Sequence, residues 1–333
     1  EIDYAAFFPD RYDDPRYELP KYMILWGKEP LNSNPDGFFG GVLIDMMKRG
    51  TKLIVIDPRL TWEASRAEYH LQLRPGTDTA LGLALCNVII TEDLYDHEFV
   101  EKWCYGFDEF AATCAEWTPE RAAEVCWVDA DLIRGAARAF ATCRPSTAGW
   151  GLAVDTIKNG TQAGMVFLSL VALCGYLDVP GGVTLAEPSS FMGKWRFETA
   201  NSVPEEAKAN RVYDLEGKYS CYFSGGAMPG IQPDSLLAWL ELEDPPTKLR
   251  MSWWCGTNPI ACMSADPERW EKALKGVEFN VTNDYFMNPS IMSCADVVLP
   301  LSMFCEQDAM VLPHYGRNTH FVGALNPVVE NDD

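Results

Sequence analysis

Twice in this chain, at Gly27 and again at Gly256, an apolar run stops on a glycine with a proline three positions later. The first copy reads "ILWGKEP" (24–30) and the second "SWWCGTNP" (252–259). Each run is short and continuous, as a buried strand is, and the glycine and proline that follow suit neither helix nor sheet. What comes next repeats as well. A helical stretch leads to a second apolar run ending in aspartate, "TKLIVIDPR" with Asp57 and "VEFNVTND" with Asp284. An alanine-acidic pair then opens a third short strand, in "RAEYHLQLRPGTD" and in "CADVVLP".

Strand, helix and strand in this order make right-handed crossovers and parallel sheets. The fold expected is α/β, with two Rossmann-like lobes of mainly parallel sheets and flanking helices. Residues 1–20 read as an acidic, aromatic, proline-punctuated arm and 21–185 as the first dinucleotide-binding domain. Residues 186–245 read as an irregular connection, and 246–333 as part of a second dinucleotide-binding domain. The helix over "DTALGLALCNVIITEDL" is expected to start from Asp78 or Thr79 as its cap. The fifteen-residue apolar run 163–177 is expected to be a buried helix, stopped at "DVPGG". It is too short to span a bilayer.

In parallel sheets, ligands sit beyond the carboxyl ends of the strands, where both glycine turns and both aspartates fall. Glycine lets backbone approach a pyrophosphate, and free N–H groups at a helix start can bind anions. A carboxylate at a strand end can accept from ribose hydroxyls or from guanine N–H groups. Asp78, after a Pro-Gly turn, suits a base edge in the same way. The duplication points to two nucleotide-sized sites facing each other.

Other chemistries are disfavoured. The net charge of −21 argues against a nucleic-acid or anionic-membrane surface. The eleven cysteines include no CxxC pair, so neither a disulfide framework nor a resident zinc or iron–sulfur site is expected, and the metal-ligand set is empty. GxGxxG after a strand, GxxxxGK[ST], GxSxG and HExxH are absent. Of the four histidines, His97 reads as an exposed helix residue, and His314 and His320 as loop residues. No signal segment or membrane span stands out. The chain reads as soluble, acting in the cytoplasm or exported already folded.

In order, "WGKEP", "LIVIDPR", "LRPGTDTALGLALCNVIITEDLYDHEFV", "NGTQ", "LCGYLDVPGG", "GTNP", "NDYFMNPSIMSCADVVLP" and "EQD" resemble the molybdopterin oxidoreductase family of the dimethyl-sulfoxide-reductase type. The resemblance implies two molybdopterin guanine dinucleotides carrying molybdenum or tungsten, one per lobe. It places first-lobe contacts at Trp26, Gly27, Lys28, Glu29, Pro30 and Ser33, then Asp57, Pro58 and Arg59, then Gly76, Thr77 and Asp78. Second-lobe contacts fall at Asn258, Asn283, Asp284 and Gln307. Arg59 at a strand end suits a phosphate as a planar fork, and equally suits a surface ion pair.

The family pattern also implies a 4Fe-4S segment and a metal-ligating residue before the first glycine turn, and a C-terminal pterin domain, none of which is read here. The expectation is therefore the central portion of a larger enzyme, inactive alone. Its substrate would be a small molecule and its partner an iron–sulfur electron-transfer subunit. The aromatic, acidic connection favours the branch that includes acetylene hydratase, pyrogallol transhydroxylase and catechol dehydroxylases. The alternatives are a non-catalytic scaffold that keeps the fold without the metal, and a nicotinamide dehydrogenase, which lacks its phosphate fingerprint here.

Overall fold

The structure is a computed structural model that describes residues 18–33, 38–183, 204, 206, 233–245, 248–263, 266–311 and 323–329. The arm, most of the connection, His314 and His320 lie outside the described residues. The chain divides into two compact units: Glu1–Met192 with Pro313–Phe321, and Gly193–Leu312 with Val322–Asp333.

The first unit is built on a four-stranded parallel sheet. Its strands are β1 (Tyr22–Trp26), β2 (Lys52–Ile56), β3 (Tyr69–Leu71) and β4 (Thr147–Trp150), in the order β3-β2-β1-β4. Its helices are α1 (Pro30–Ser33), α2 (Phe38–Lys48), α3 (Asp78–Thr91), α4 (His97–Trp103), α5 (Phe107–Ala115), α6 (Pro119–Cys126), α7 (Ala130–Thr142), α8 (Leu152–Asp155) and α9 (Gly160–Leu173). β1 is apolar at every position because both of its faces are covered. Tyr22, Ile24 and Trp26 point into one core with Ile54, Ile56 and the buried residues of α3, α7 and α9. Met23 and Leu25 point into another with Phe39, Leu43 and Met46 of α2.

The second unit carries α10 (Pro233–Leu240), β5 (Met251–Cys255), α11 (Pro259–Cys262), α12 (Pro267–Lys275), β6 (Phe279–Asp284), α13 (Pro289–Cys294) and β7 (Val297–Pro300). Its three strands are parallel in the order β5-β6-β7. A separate antiparallel pair follows, β8 (Ala309–Val311) and β9 (Gly323–Leu325). Trp254 of β5 packs with Leu237 of α10 and with Trp270 and Leu274 of α12.

The fold class is as read from the sequence, and several boundaries move. The α3 cap is Thr77, one residue earlier than expected, so Asp78 is the first helical residue. The α9 helix is one-sided, burying Ala163, Val166, Phe167 and Leu170 while Met165 and Leu168 face solvent. It also ends earlier. Gly175 takes φ +67°, its N–H donates to Ala172 O (2.9 Å), and Tyr176 N–H donates to Val171 O (3.1 Å). That is a left-handed glycine cap, and Pro180-Gly181-Gly182 belong to a later turn. The stretch "STAGWGLAV" (146–154), which reads as one strand, forms β4 only as far as Trp150 and then turns into α8. Within the expected irregular connection, α10 is a regular helix.

Candidate functional site

The echo in the sequence is an equivalence in the hydrogen bonding. Gly27 and Gly256 share the same left-handed φ of +57°. Gly27 N–H donates to Ile56 O at 2.8 Å, and Gly256 N–H donates to Asn283 O at 3.0 Å. The strand registers agree, pairing Trp26 with Ile56 and Cys255 with Asn283. The residue after each acceptor is an aspartate, Asp57 or Asp284. Further along, Glu68 N–H donates to Leu53 O and Asp296 N–H to Asn280 O, both at 2.9 Å. These matches fix the correspondence residue by residue. Lys28 answers to Thr257, Glu29 to Asn258, Pro58 to Tyr285 and Arg59 to Phe286.

In the first lobe the site residues form a linked edge. Asp57 is buried, and its Oδ1 accepts from Arg59 N–H at 2.8 Å. Arg59 reaches back to Glu29, Nη2 to Oε2 at 2.7 Å, with its side chain 67% exposed. This joins the β1 and β2 loops and leaves the guanidinium open to solvent on its outer side. Glu29 O also accepts the Ser33 hydroxyl at 3.2 Å. Lys28 Nζ lies 5.0 Å from the centre of the Phe39 ring. Pro30 is buried, and Pro58 and Ser33 are exposed.

Trp26 is 1% exposed, so its side chain belongs to the core, edge-on to Phe167. Its indole Nε1–H donates to Asp78 Oδ1 at 2.8 Å. Asp78 is thereby fixed where the β1 and α3 ends meet. Burial pushes its carboxyl above the ordinary range, with the Trp26 bond and the amides of Asp78 and Gly76 acting against that rise. The Thr77 hydroxyl turns back to Arg74 O at 2.6 Å.

In the second lobe Asp284 shapes its own loop. Its Oδ1 accepts from the N–H groups of Tyr285 and Phe286 at 2.7 and 3.3 Å, and its Oδ2 from Asn288 Nδ2 at 3.0 Å. The Ser290 hydroxyl donates to Asn258 Oδ1 at 2.7 Å. Asn283 Oδ1 accepts from Trp253 Nε1–H at 2.8 Å, and its amide donates to Cys255 Sγ at 3.1 Å. Gln307 is exposed on a turn after Glu306, in the same unit.

The glycines divide by what lies around them. A side chain at Gly27 would meet Ala153 Cβ at 2.9 Å, so the segment after β4 packs on the side where a Cβ would stand. Gly27 itself is half-buried, so part of its backbone stays open. Gly76, with φ +83°, and Gly256 have nothing within 4 Å of a built Cβ. They offer bare backbone beside Asp78 and Asp284, and a carboxylate next to bare backbone suits the sugar or base end of a nucleotide. Among the described residues no group of three or more His, Cys, Asp or Glu is placed to hold a metal ion. Among them, too, no helix is long and apolar enough to cross a membrane.

Sequence reasoning missed Glu63. It is fully buried, its Oε1 accepts from Leu31 N–H at 3.2 Å, and its Oε2 has no hydrogen-bond partner among the described residues. Nothing in "RLTWEAS" marks it, since a glutamate in a polar stretch ordinarily faces water.

With this geometry in view, the comparisons with known proteins decide the family. The profile of the molybdopterin oxidoreductases matches residues 16–331. The chain belongs to that family. It is 33% identical over 310 residues to the acetylene hydratase of Syntrophotalea acetylenica, covering 86% of this chain and 41% of that protein. It is 31% identical over 314 residues to the F420-dependent formate dehydrogenase subunit alpha of Methanocaldococcus jannaschii, covering 93% and 45%. Among solved structures, acetylene hydratase from Pelobacter acetylenicus superposes with a TM-score of 0.76 at 31% identity, covering 93% of this chain and 44% of that one. The chain thus spans less than half the length of the relatives it matches.

One prediction rests on the thiols alone. Cys255 and Cys262 are exposed, whereas Cys86, Cys114 and Cys174 are buried. Burial pushes the Cys174 thiol up to about 12 and Cys86 well above its usual value. Iodoacetamide attacks thiolates, so peptide mass spectrometry of the folded protein should find Cys255 and Cys262 alkylated before Cys86, Cys114 and Cys174. Equal labelling of the buried three would mean that the first unit's core is open.

Proposed function

We propose that this chain is the central cofactor-holding portion of a molybdenum or tungsten enzyme, each lobe gripping one molybdopterin guanine dinucleotide. The observation that carries the reading is the repeated strand end: a glycine at φ +57° bonded to the neighbouring strand, with an aspartate immediately after the acceptor. In the first lobe Asp57, Gly76 and Asp78 would hold the sugar and base, and Arg59 a phosphate oxygen. In the second, Gly256, Asn258, Asn283 and Asp284 would hold the corresponding groups, with Gln307 contributing from the turn before β8. When bound, such a cofactor supplies two-electron and hydroxyl-transfer chemistry, while the protein positions it. The relatives differ in the activities their names carry, and the shared edge does not select among substrates. A 4Fe-4S segment and an iron–sulfur partner subunit belong to this reading of the longer protein, and the isolated chain is expected to be inactive.

The test has two arms. Guanosine diphosphate should bind the chain in preference to adenosine diphosphate by saturation-transfer NMR, and should slow alkylation of Cys255. The longer protein, assembled and active, should contain molybdenum or tungsten by elemental analysis. Equal binding of the two nucleotides, or an active protein with neither metal, would falsify the reading.

A further inference from the structure

The correspondence between the lobes exposes a difference in chemistry. The position held by Arg59 in the first lobe is held by Phe286 in the second, and the Glu29 that pairs with the arginine is answered by Asn258. The charged clamp is therefore gone from the second lobe. In its place Phe286 is 70% exposed, beside Tyr285 at 49% and Met287 at 61%. A phenyl ring so placed gains nothing from water and waits for a cover.

Its backbone is also fixed. The N–H groups of Tyr285 and Phe286 both point to Asp284 Oδ1, and Asn288 ties Asp284 Oδ2 to the opposite turn through Thr257 O at 3.4 Å. Gly256, whose bare surface lies one hydrogen bond from Asn283, completes the neighbourhood. An aromatic face, a carboxylate acceptor and uncovered backbone on one rigid loop pair are what a purine ring uses: a surface to stack on, an acceptor for its N–H edge, and room to approach.

We propose that Phe286 is a stacking platform for the guanine of the second dinucleotide, so that the lobes grip by different means, charge at Arg59 and ring stacking at Phe286. This rests on the reading that each lobe holds a guanine dinucleotide. Ionic contacts between exposed groups weaken with salt, whereas stacking is far less sensitive. The two grips are thus separable in one titration.

The probe is guanosine diphosphate, titrated into the whole chain at low and high salt while the guanine H8 resonance is followed. The wild type should show a salt-sensitive component, lost in Arg59→Gln. A second component, insensitive to salt, should carry the upfield H8 shift of a base over an aromatic face. Phe286→Ala should weaken that second component by about tenfold or more and abolish its upfield shift. Phe286→Trp should restore both, which a merely structural role would not do. Circular dichroism checks that each variant is folded. If the nucleotide binds both lobes and Phe286→Ala changes neither the affinity nor the H8 shift, stacking is overturned and the exposed ring serves a protein contact. If the nucleotide binds neither lobe, the dinucleotide reading fails and this inference falls with it.

Discussion

Gly151→Ala is expected to destabilise the first unit by about 3 kcal/mol, because the added methyl has nowhere to go. A Cβ built there lies 2.2 Å from Gly27 O and 2.9 Å from Lys28 Cα. The obstacle is backbone, so no rotamer change relieves it. Gly151 N–H already donates to Trp26 O at 2.8 Å, which locks the two segments together. Gly256→Ala gives the scale for comparison: nothing crowds it, and only its left-handed φ is penalised, at about 1–2 kcal/mol. The two units need not unfold together, so hydrogen exchange resolved by peptide is the measurement. β1 amides should lose protection strongly in Gly151→Ala, while β5 amides lose it modestly in Gly256→Ala. Equal effects would sink the argument.

The collision also bears on where a ligand can sit. In the order β3-β2-β1-β4 the sheet grows from β1 to one side through β2 and β3 and then to the other with the parallel strand β4, so the strand order switches between β1 and β4, and such switch points are the usual ligand crevice. Here the Gly27–Lys28 and Gly151 backbones abut at that place. The charged groups and the bare backbone lie instead on the loops that follow β2 and β3, at Asp57, Arg59 and Gly76. That arrangement is a reason to seek the nucleotide tail on that side in the first lobe.

Much of this was legible in the sequence because strand ends obey local rules. A β-branched run ending in Asp-Pro or Asn-Asp, and a glycine followed by proline, leave the backbone few options. The parallel α/β class, the succession of strand, helix and strand in each repeat and the strand-end aspartates followed directly. Side-chain direction was less legible. Trp26 stands at a strand end, where period-two alternation allows either the core or the ligand edge, and only packing against Gly82 and Phe167 settles it inward. Glu63 was invisible because Leu31 N–H, which its carboxylate meets, is thirty-two positions away. The one-turn helices α1 and α11 have four residues each, too few for any periodic signal. The Gly175 cap is hidden in the sequence by Pro180 and two glycines soon after, which carry the stronger stop signal.

Trp26 and Asp78 carry the other large effect. The ring fills space that a Cβ at Gly82 would begin to enter, at 3.1 Å from Trp26 Cη2, so Trp26→Ala should cost about 3–5 kcal/mol through the cavity alone. Trp26→Phe keeps most of the packing and removes the indole donor, which should cost about 1–3 kcal/mol by leaving the buried carboxylate short of a partner. The second loss depends on pH in a definite direction. Asp78 has its folded pKa raised, with burial the largest cause and the Trp26 bond opposing it. Above that raised value both the folded and unfolded states are ionised, and the fold bears the full penalty of a buried charge. As pH falls through it, the folded state takes up the proton first and the penalty is relieved. Removing the indole donor raises the folded value further, so more is relieved on acidification. The stability gap between wild type and Trp26→Phe should therefore narrow from neutral to mildly acid pH. Asp78→Asn keeps an acceptor for the indole and has no charge to bury, so in that background the gap should be the same at both pH values. Peptide-resolved hydrogen exchange of β1 and α3 in the four proteins at the two pH values, corrected for intrinsic rates, completes the cycle for the first unit. A gap that ignores pH in the Asp78 background would show that Trp26 acts by packing alone.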